Sequence, residues 1–301
     1  MYTRLLTPVL SPRRLDACQG AALLTRLDGK LPAIHASIVP DSAGAYGDQR
    51  RGACYATSVY GWRARVGLIV PSVNSCTEPQ FRMMAPDGVA FYATRLALRG
   101  GGGRAELLAM AEHVEDAAAL LNDLDPALIL FHCTAASLAG GVGYDQTIRE
   151  RIEARTGRPA AATATGIVQA LRAVGTERLA LITPYPPATN AIEVEFLAGH
   201  GFEVVTNVAL GLESGADFVR LSPEDWLDVV RSADLARADA IFVSCTNIRV
   251  IEAIERMELE HRRPVITSNQ AGVWYVLRRL GIEEPVAGYG RLLREPVPAF
   301  A

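Results

Sequence analysis

Two cysteines stand in matching surroundings. Asp125-Pro126-Ala127-Leu128-Ile129-Leu130-Phe131-His132 runs into Cys133-Thr134, and Asp239-Ala240-Ile241-Phe242-Val243-Ser244 runs into Cys245-Thr246-Asn247. Each time an acidic residue opens an apolar run of strand length, and the run delivers Cys-Thr into a polar turn. A thiolate is a nucleophile, and a thiol can give or take a proton at carbon. Two thiols on equivalent turns can therefore do chemistry on one substrate from two sides. A strand that hands over to a helix sets unpaired backbone N–H groups and the positive end of the helix dipole beside the sulfur. That placement predicts activated thiols, and the same donors can hold a carboxylate. After Cys245 the spacing predicts a helix near 248–260, capped by Asn247, with Ile248, Ile251 and Ile254 on one face. After Cys133 the short stretch 134–137 offers similar donors. A lone cysteine ending a buried strand is more simply a small hydrophobe, and it is the pairing that favours chemistry.

The elements that must position these thiols repeat as well. Val66-Gly67-Leu68-Ile69-Val70-Pro71 and Leu179-Ala180-Leu181-Ile182-Thr183-Pro184 are apolar runs ending in proline, 62 residues before Cys133 and 61 before Cys245. Arg158-Pro159 through Gly175 is echoed by Arg263-Pro264 through Gly281, at an offset of 105 residues at the prolines and 106 at the glycines. Strands are predicted near 66–71, 89–98, 127–132, 159–163, 179–183, 202–209, 239–244 and 264–267. Helices are predicted near 105–123, 144–156, 165–174, 188–200, 223–235, 248–260 and 270–280. Apolar strands alternating with helices give an α/β fold of two pseudo-symmetric lobes with parallel sheets, covered on both faces. In such sheets ligands gather at the carboxyl ends of the strands, where both Cys-Thr turns lie. Asn74 and Tyr185 occupy matching strand-end turns and carry donors suited to a carboxylate or an enolate oxygen. Taken by themselves they read as an Asx turn and a half-buried aromatic. Thr134, Thr246 and Asn247 are further candidates that serve equally well as caps.

Five stretches together resemble a known superfamily: Pro71-Ser72-Val73-Asn74, Cys133-Thr134, Ile182-Thr183-Pro184-Tyr185, Ser244-Cys245-Thr246-Asn247 and Ser268-Asn269-Gln270-Ala271-Gly272-Val273-Trp274. The chain is similar, over roughly 64–288, to the aspartate/glutamate racemase superfamily, in its branch of maleate cis-trans isomerases and arylmalonate decarboxylases. The Asp-Ser-Gly-x-Gly-Gly and Gly-Cys-Thr-His signatures of glutamate racemases are absent. The resemblance implies flavodoxin-like lobes facing each other across an active-site cleft: 64–163 plus 269–288 as the first, 164–268 as the second and 289–301 as a tail, with the final helix returning to the first lobe. It implies Cys133 as nucleophile, Cys245 as acid/base, and Asn74 and Tyr185 as ligands of a substrate carboxylate. The implied activity is cofactor-independent isomerisation of a small unsaturated carboxylic acid, as in maleate isomerase. Amino-acid or hydantoin racemisation, arylmalonate decarboxylation, and non-catalytic binding of a small carboxylate in the cleft are the alternatives. Decarboxylation is disfavoured, because the resembling decarboxylases keep a single cysteine at the position of Cys245 and glycine at that of Cys133. One departure stands out. The isomerases carry another carboxylate-binding asparagine between the strand near 202–209 and the next helix, whereas 211–218 has none. Asp217 or Glu213 there would repel a second carboxylate, so a substrate with one carboxylate, or with an amine at its other end, is expected.

The rest of the chain narrows the choices further. Of 301 residues half are hydrophobic, enough for a sizeable core, and a net charge of −3 argues against nucleic acid or a membrane surface as partner. Five cysteines without a CxxC, and no apolar run long enough to span a bilayer, predict a reduced, cytoplasmic protein. Self-association into a homo-oligomer is expected. Residues 1–63, rich in breakers and excess arginine, read as a disordered extension. Scattered histidines give no metal site, and no cofactor is expected. Arg99-Gly100-Gly101-Gly102-Gly103-Arg104 lacks the residues of a phosphate loop and reads as a mobile loop beside the cleft. His132, one residue from Cys133, points to the opposite face of its strand and is expected beneath the sheet. Cys76 has no counterpart in the second half and reads as a loop thiol.

Overall fold

The computed structural model describes residues 60–99 and 102–295, all within one compact unit, Cys54–Ala301. Most of the extension expected at 1–63, with Cys18 and Cys54, lies outside the described residues, as do 296–301.

Two four-stranded sheets form the frame. The first contains β1 (Ala64–Pro71), β2 (Val89–Leu96), β3 (Leu128–Phe131) and β4 (Ala160–Ala162), in the order β2-β1-β3-β4. The second contains β5 (Arg178–Thr183), β6 (Glu203–Ala209), β7 (Ala240–Val243) and β8 (Val265–Thr267), in the order β6-β5-β7-β8. Every pairing is parallel, and the two orders correspond strand for strand. The apolar runs read from the sequence are buried strands: all residues of the inner β3 and β7 and of the edge strands β4 and β8 are buried, because helices cover both faces. Register brings the strand ends level, with Phe131 opposite Ile69 and Ala162, and Val243 opposite Ile182 and Thr267. The turns carrying Asn74 and Cys133 are thus neighbours in one lobe, as are those carrying Tyr185 and Cys245 in the other.

The helices are α1 (Thr77–Met84), α2 (Arg104–Ala111), α3 (Val114–Asn122), α4 (Thr134–Leu138), α5 (Tyr144–Thr156), α6 (Thr163–Ala173), α7 (Pro187–Gly199), α8 (Gly215–Phe218), α9 (Pro223–Ser232), α10 (Ile254–His261), α11 (Ser268–Arg279) and α12 (Arg291–Arg294). The helix predicted over 105–123 is two, α2 and α3, broken at Glu112 and His113. The one predicted over 248–260 begins only as a 3₁₀ turn at Ile251–Ala253 and becomes α10 at Ile254. α1 was not legible, being short and carrying Pro79 and polar residues in its first turn. Where cap chemistry is strong the expected starts hold: Ser222 and Asp225 close a capping box on α9, and Thr267 and Gln270 do so on α11.

The two lobes exchange their last helices. α6 and α11 pack on each other, α6 also touches β8, and α11 touches β3 and α1. α11 is buried along almost its whole length, through the apolar run 271–277 and also at the polar Ser268, Asn269 and Gln270 of its first turn. Gly272 permits the approach: a Cβ there would lie 2.7 Å from His132 Cε1 and 3.2 Å from Phe81 Cζ. Of the expected tail, Leu292 and Leu293 of α12 are buried and Gln270 Nε2 donates to the Tyr289 carbonyl at 2.6 Å, so 289–295 is packed structure.

Candidate active site

A cavity of about 260 Å³ opens between the two sets of strand ends. All seven residues singled out from the sequence line it: Asn74, Cys133, Thr134, Tyr185, Cys245, Thr246 and Asn247. Leu98, Leu107, Pro186 and Phe218 add an apolar wall, and residues 213–216 supply one rim.

Each thiol is fixed by its turn. Cys133 takes the N-cap position of α4 with extended backbone, without a side-chain cap hydrogen bond, and the nearby Ala136 N–H favours its anion. Cys245 is held differently. No helix follows it directly; its φ of +146° lies where a side chain is strained, at a cost of about 1–3 kcal/mol. Its sulfur accepts the Asn247 N–H at 3.3 Å and the Tyr185 hydroxyl, and its own N–H donates to Ser268 Oγ at 3.1 Å. That same Ser268 oxygen receives the Thr134 hydroxyl at 2.8 Å, so one serine ties together both Cys-Thr turns.

Burial works against the expected activation of the thiols. Burial pushes the Cys133 thiol up to about 11 and the Cys245 thiol up to about 12, against an ordinary 9.0. The expected backbone donors are present and pull the other way, but a five-residue helix and two N–H bonds do not offset full desolvation of a sulfur anion. Charge on Cys133 further raises Cys245, so a second thiolate is disfavoured once the first exists. Tyr185 is also held well above the ordinary phenol range, by burial first and by the neighbouring thiols.

Asn74 and Asn247 act as struts between the lobes. Asn74 Oδ1 accepts the N–H groups of Cys76 and Thr77 at 3.1 and 2.9 Å, the Asx turn considered from the sequence, while its Nδ2 lies 3.1 Å from Thr246 Oγ1 and 3.2 Å from the Thr246 carbonyl. Asn247 does not cap a helix. It accepts the Ser75 N–H at 2.9 Å and donates to the Gly215 carbonyl at 3.0 Å. Asp217 is likewise corrected: it takes the Ser214 hydroxyl at 2.6 Å, pairs with Arg220 at 3.2 Å, and does not line the cavity, whereas Glu213 does. Cys76 is buried outside the cavity. Leu98 and Gly102, flanking the glycine-rich loop, line it.

His132 is fully buried away from the cavity, as strand alternation predicts. Its Nε2 meets Asn269 Oδ1 at 2.8 Å and its Nδ1 meets Thr163 Oγ1 at 3.0 Å; burial lowers it to about 4, so it is neutral at physiological pH. Asn269 in turn donates to Gln80 and to the Thr246 carbonyl, and Gln80 donates to the Ile248 carbonyl at 2.7 Å. This chain links the underside of β3 to the Cys245 turn.

A sequence profile of the arylmalonate decarboxylase family matches residues 66–293. The chain belongs to this family. Among characterised relatives, maleate isomerase of Nocardia farcinica is 30% identical over 241 residues, covering 77% of this chain and 96% of that one. Arylmalonate decarboxylase of Bordetella bronchiseptica is 28% identical over 233 residues, covering 76% and 96%. The crystal structure of a maleate isomerase variant from Pseudomonas putida S16 with maleate superposes with a TM-score of 0.73 at 26% identity, covering 76% of this chain and 97% of that one. A cysteine-to-serine mutant of the N. farcinica maleate cis-trans isomerase with a covalently bound succinylcysteine intermediate superposes at 0.72 with 26% identity, covering 77% and 98%. The two facing lobes are thus the architecture of this family.

Three contributors to the site were not singled out from the sequence. Ser268 stands within a quoted motif, but its bridging role is visible only in space. Glu193 is fully buried on α7 and accepts the Ser244 hydroxyl at 2.6 Å, one residue from Cys245. Its signal was present: with Thr189, Phe196 and Leu197 it falls on the buried stripe of the helix, where a carboxylate is out of place. Phe218 closes the cavity by packing edge-on against Tyr185, ring centroids 5.8 Å apart.

Proposed function

We propose that this protein is a two-cysteine cis-trans isomerase of a small unsaturated carboxylic acid, working without a cofactor. The observation that carries the reading is that both repeat-related thiols line one cavity. The maleate isomerase relatives, one with a succinylcysteine, support the same chemistry. Decarboxylation is less well supported, because a second thiol has no task in it.

In the proposed cycle Cys133 enters as its thiolate, its proton released to solvent, and its sulfur adds to an alkene carbon. The C–S bond forms as the π pair moves to the neighbouring carbon, and the Cys245 thiol delivers its proton there. The former double bond is now single and rotates. Cys245 then retrieves the proton, the pair reforms the π bond and the C–S bond breaks, leaving the Cys133 thiolate and the Cys245 thiol as they entered. Cys133, at the N-cap of α4, has the Ala136 N–H to favour its anion. Forming the anion at neutral pH from a thiol near 11 costs about 5 kcal/mol, well inside an enzymatic barrier. Asn74 and Tyr185 are assigned to the carboxylate end.

The test is mass spectrometry of serine variants incubated with substrate. Cys133→Ser is expected to abolish turnover and adduct together, and Cys245→Ser to trap an adduct on Cys133 without releasing product. Normal turnover by Cys133→Ser would rule the mechanism out. Solvent-deuterium exchange from one enantiomer of a saturated acid by Cys245→Ser would instead establish a racemase.

A further inference from the structure

The walls of the cavity are unequal, and the inequality bears on what the substrate carries beyond its first carboxylate. Among the described residues lining it there is no arginine, lysine or histidine. On the side of Leu98, Leu107, Pro186 and Phe218 the surface is apolar, and the charged group among the lining residues is the carboxylate of Glu213. The polar side chains of that rim are already committed. The Ser214 hydroxyl donates to Asp217 Oδ2 at 2.6 Å, and Asn247 Nδ2 donates to the Gly215 carbonyl at 3.0 Å. A second carboxylate seated there would be desolvated without a cation or a free side-chain donor, beside a like charge.

We propose that the substrate is a monoanion: a cis-2-enoic acid whose distal activating group is a neutral carbonyl, an amide, ester or ketone, bearing an apolar substituent that rests against Leu98, Leu107 and Phe218. The proposal rests on the isomerase reading above. The chemistry accommodates it without any added reagent. When Cys133 adds to the alkene, the displaced π pair enters a neutral conjugated carbonyl as an enolate. A carboxylate in that place would have to take up a second negative charge. Cys245 protonates the carbon, rotation follows, and the reverse steps return the trans acid. An ammonium at the distal end is the less favoured partner, because the apolar wall of Leu98, Leu107 and Phe218 would desolvate it.

The experiment compares maleate, N-butylmaleamate and N-(2-aminoethyl)maleamate with the full-length protein, following the vinyl proton couplings by NMR and adducts on the two cysteines by mass spectrometry. The expected result is a kcat/KM for N-butylmaleamate at least about tenfold above that for maleate, with the ratio narrowed about threefold in Glu213→Gln. Turnover of maleate as fast as, or faster than, N-butylmaleamate overturns the substrate class and leaves the isomerase reading intact. Preference for the aminoethyl compound overturns the apolar distal group in favour of a cation. If none of the three is isomerised and none leaves an adduct, the isomerase reading itself falls.

Discussion

Glu193→Gln offers a direct reading of what burial does beside the Cys245 turn. The Glu193 carboxyl is fully buried; one oxygen accepts the Ser244 hydroxyl and the other has no partner among the described residues. Desolvation raises it from 4.5 to about 7, against the smaller opposing pull of Ser244. In the unfolded chain the group ionises near 4.5, whereas in the fold it stays protonated until about 7. Between those values the folded state holds the extra proton, so stability falls as pH rises; the contribution is complete below 4.5 and lost above 7. The window of 2.5 pH units corresponds to about 3 kcal/mol. Glutamine mimics the protonated acid, keeps an acceptor for Ser244 and never ionises. The variant should therefore match the wild type within about 1 kcal/mol near pH 4.5 and exceed it by about 3 kcal/mol near pH 8. Urea unfolding followed by the fluorescence of the buried Trp226 and Trp274 at several pH values measures the difference. Two stability curves running parallel across that range would refute the reasoning.

Three further outcomes are expected. Because the reactive thiol is held near 11, kcat/KM should climb about tenfold per pH unit from about 7 to 9; a plateau by about pH 8 would mean that the thiolate forms more easily than burial implies. Gly272→Ala should lose about 1–3 kcal/mol in a denaturation assay, since its Cβ meets His132 at 2.7 Å, while Gly166→Ala, whose nearest neighbour is Tyr275 Cβ at 3.3 Å, should stay within about 1 kcal/mol. Ser268→Ala strips the oxygen that receives both the Thr134 hydroxyl and the Cys245 N–H, and should cost about 1–3 kcal/mol together with much of the activity; Ser268→Thr should restore stability, and no loss in the alanine variant would show that the bridge is dispensable.

The sequence carried a large share of this, for reasons of periodicity. Inner strands such as Leu128–Phe131 and Ala240–Val243 are buried on both faces, so their apolar runs stand out, and their duplication exposes the two-lobed plan. Parallel strands put their carboxyl ends on one side, which is why Asn74, Cys133, Tyr185 and Cys245 are legible as one group in the sequence. What escaped depends on distance through space. Whether the Cys133 and Cys245 thiols are activated is a contest between a few N–H donors and complete desolvation, and only the packed structure shows desolvation to be the larger effect. Asp217 and Glu213 are equivalent acids in the sequence; Asp217 is held by a local pair with Arg220, three residues on, and the tertiary fold leaves Glu213 on the cavity. Ser268 and Thr134 are 134 residues apart, and Glu193 and Ser244 are 51 apart, so no local pattern encodes their hydrogen bonds. Local preference and burial period set the strands, whereas the contacts that tune the thiols are made by chain segments brought together only when the two lobes close.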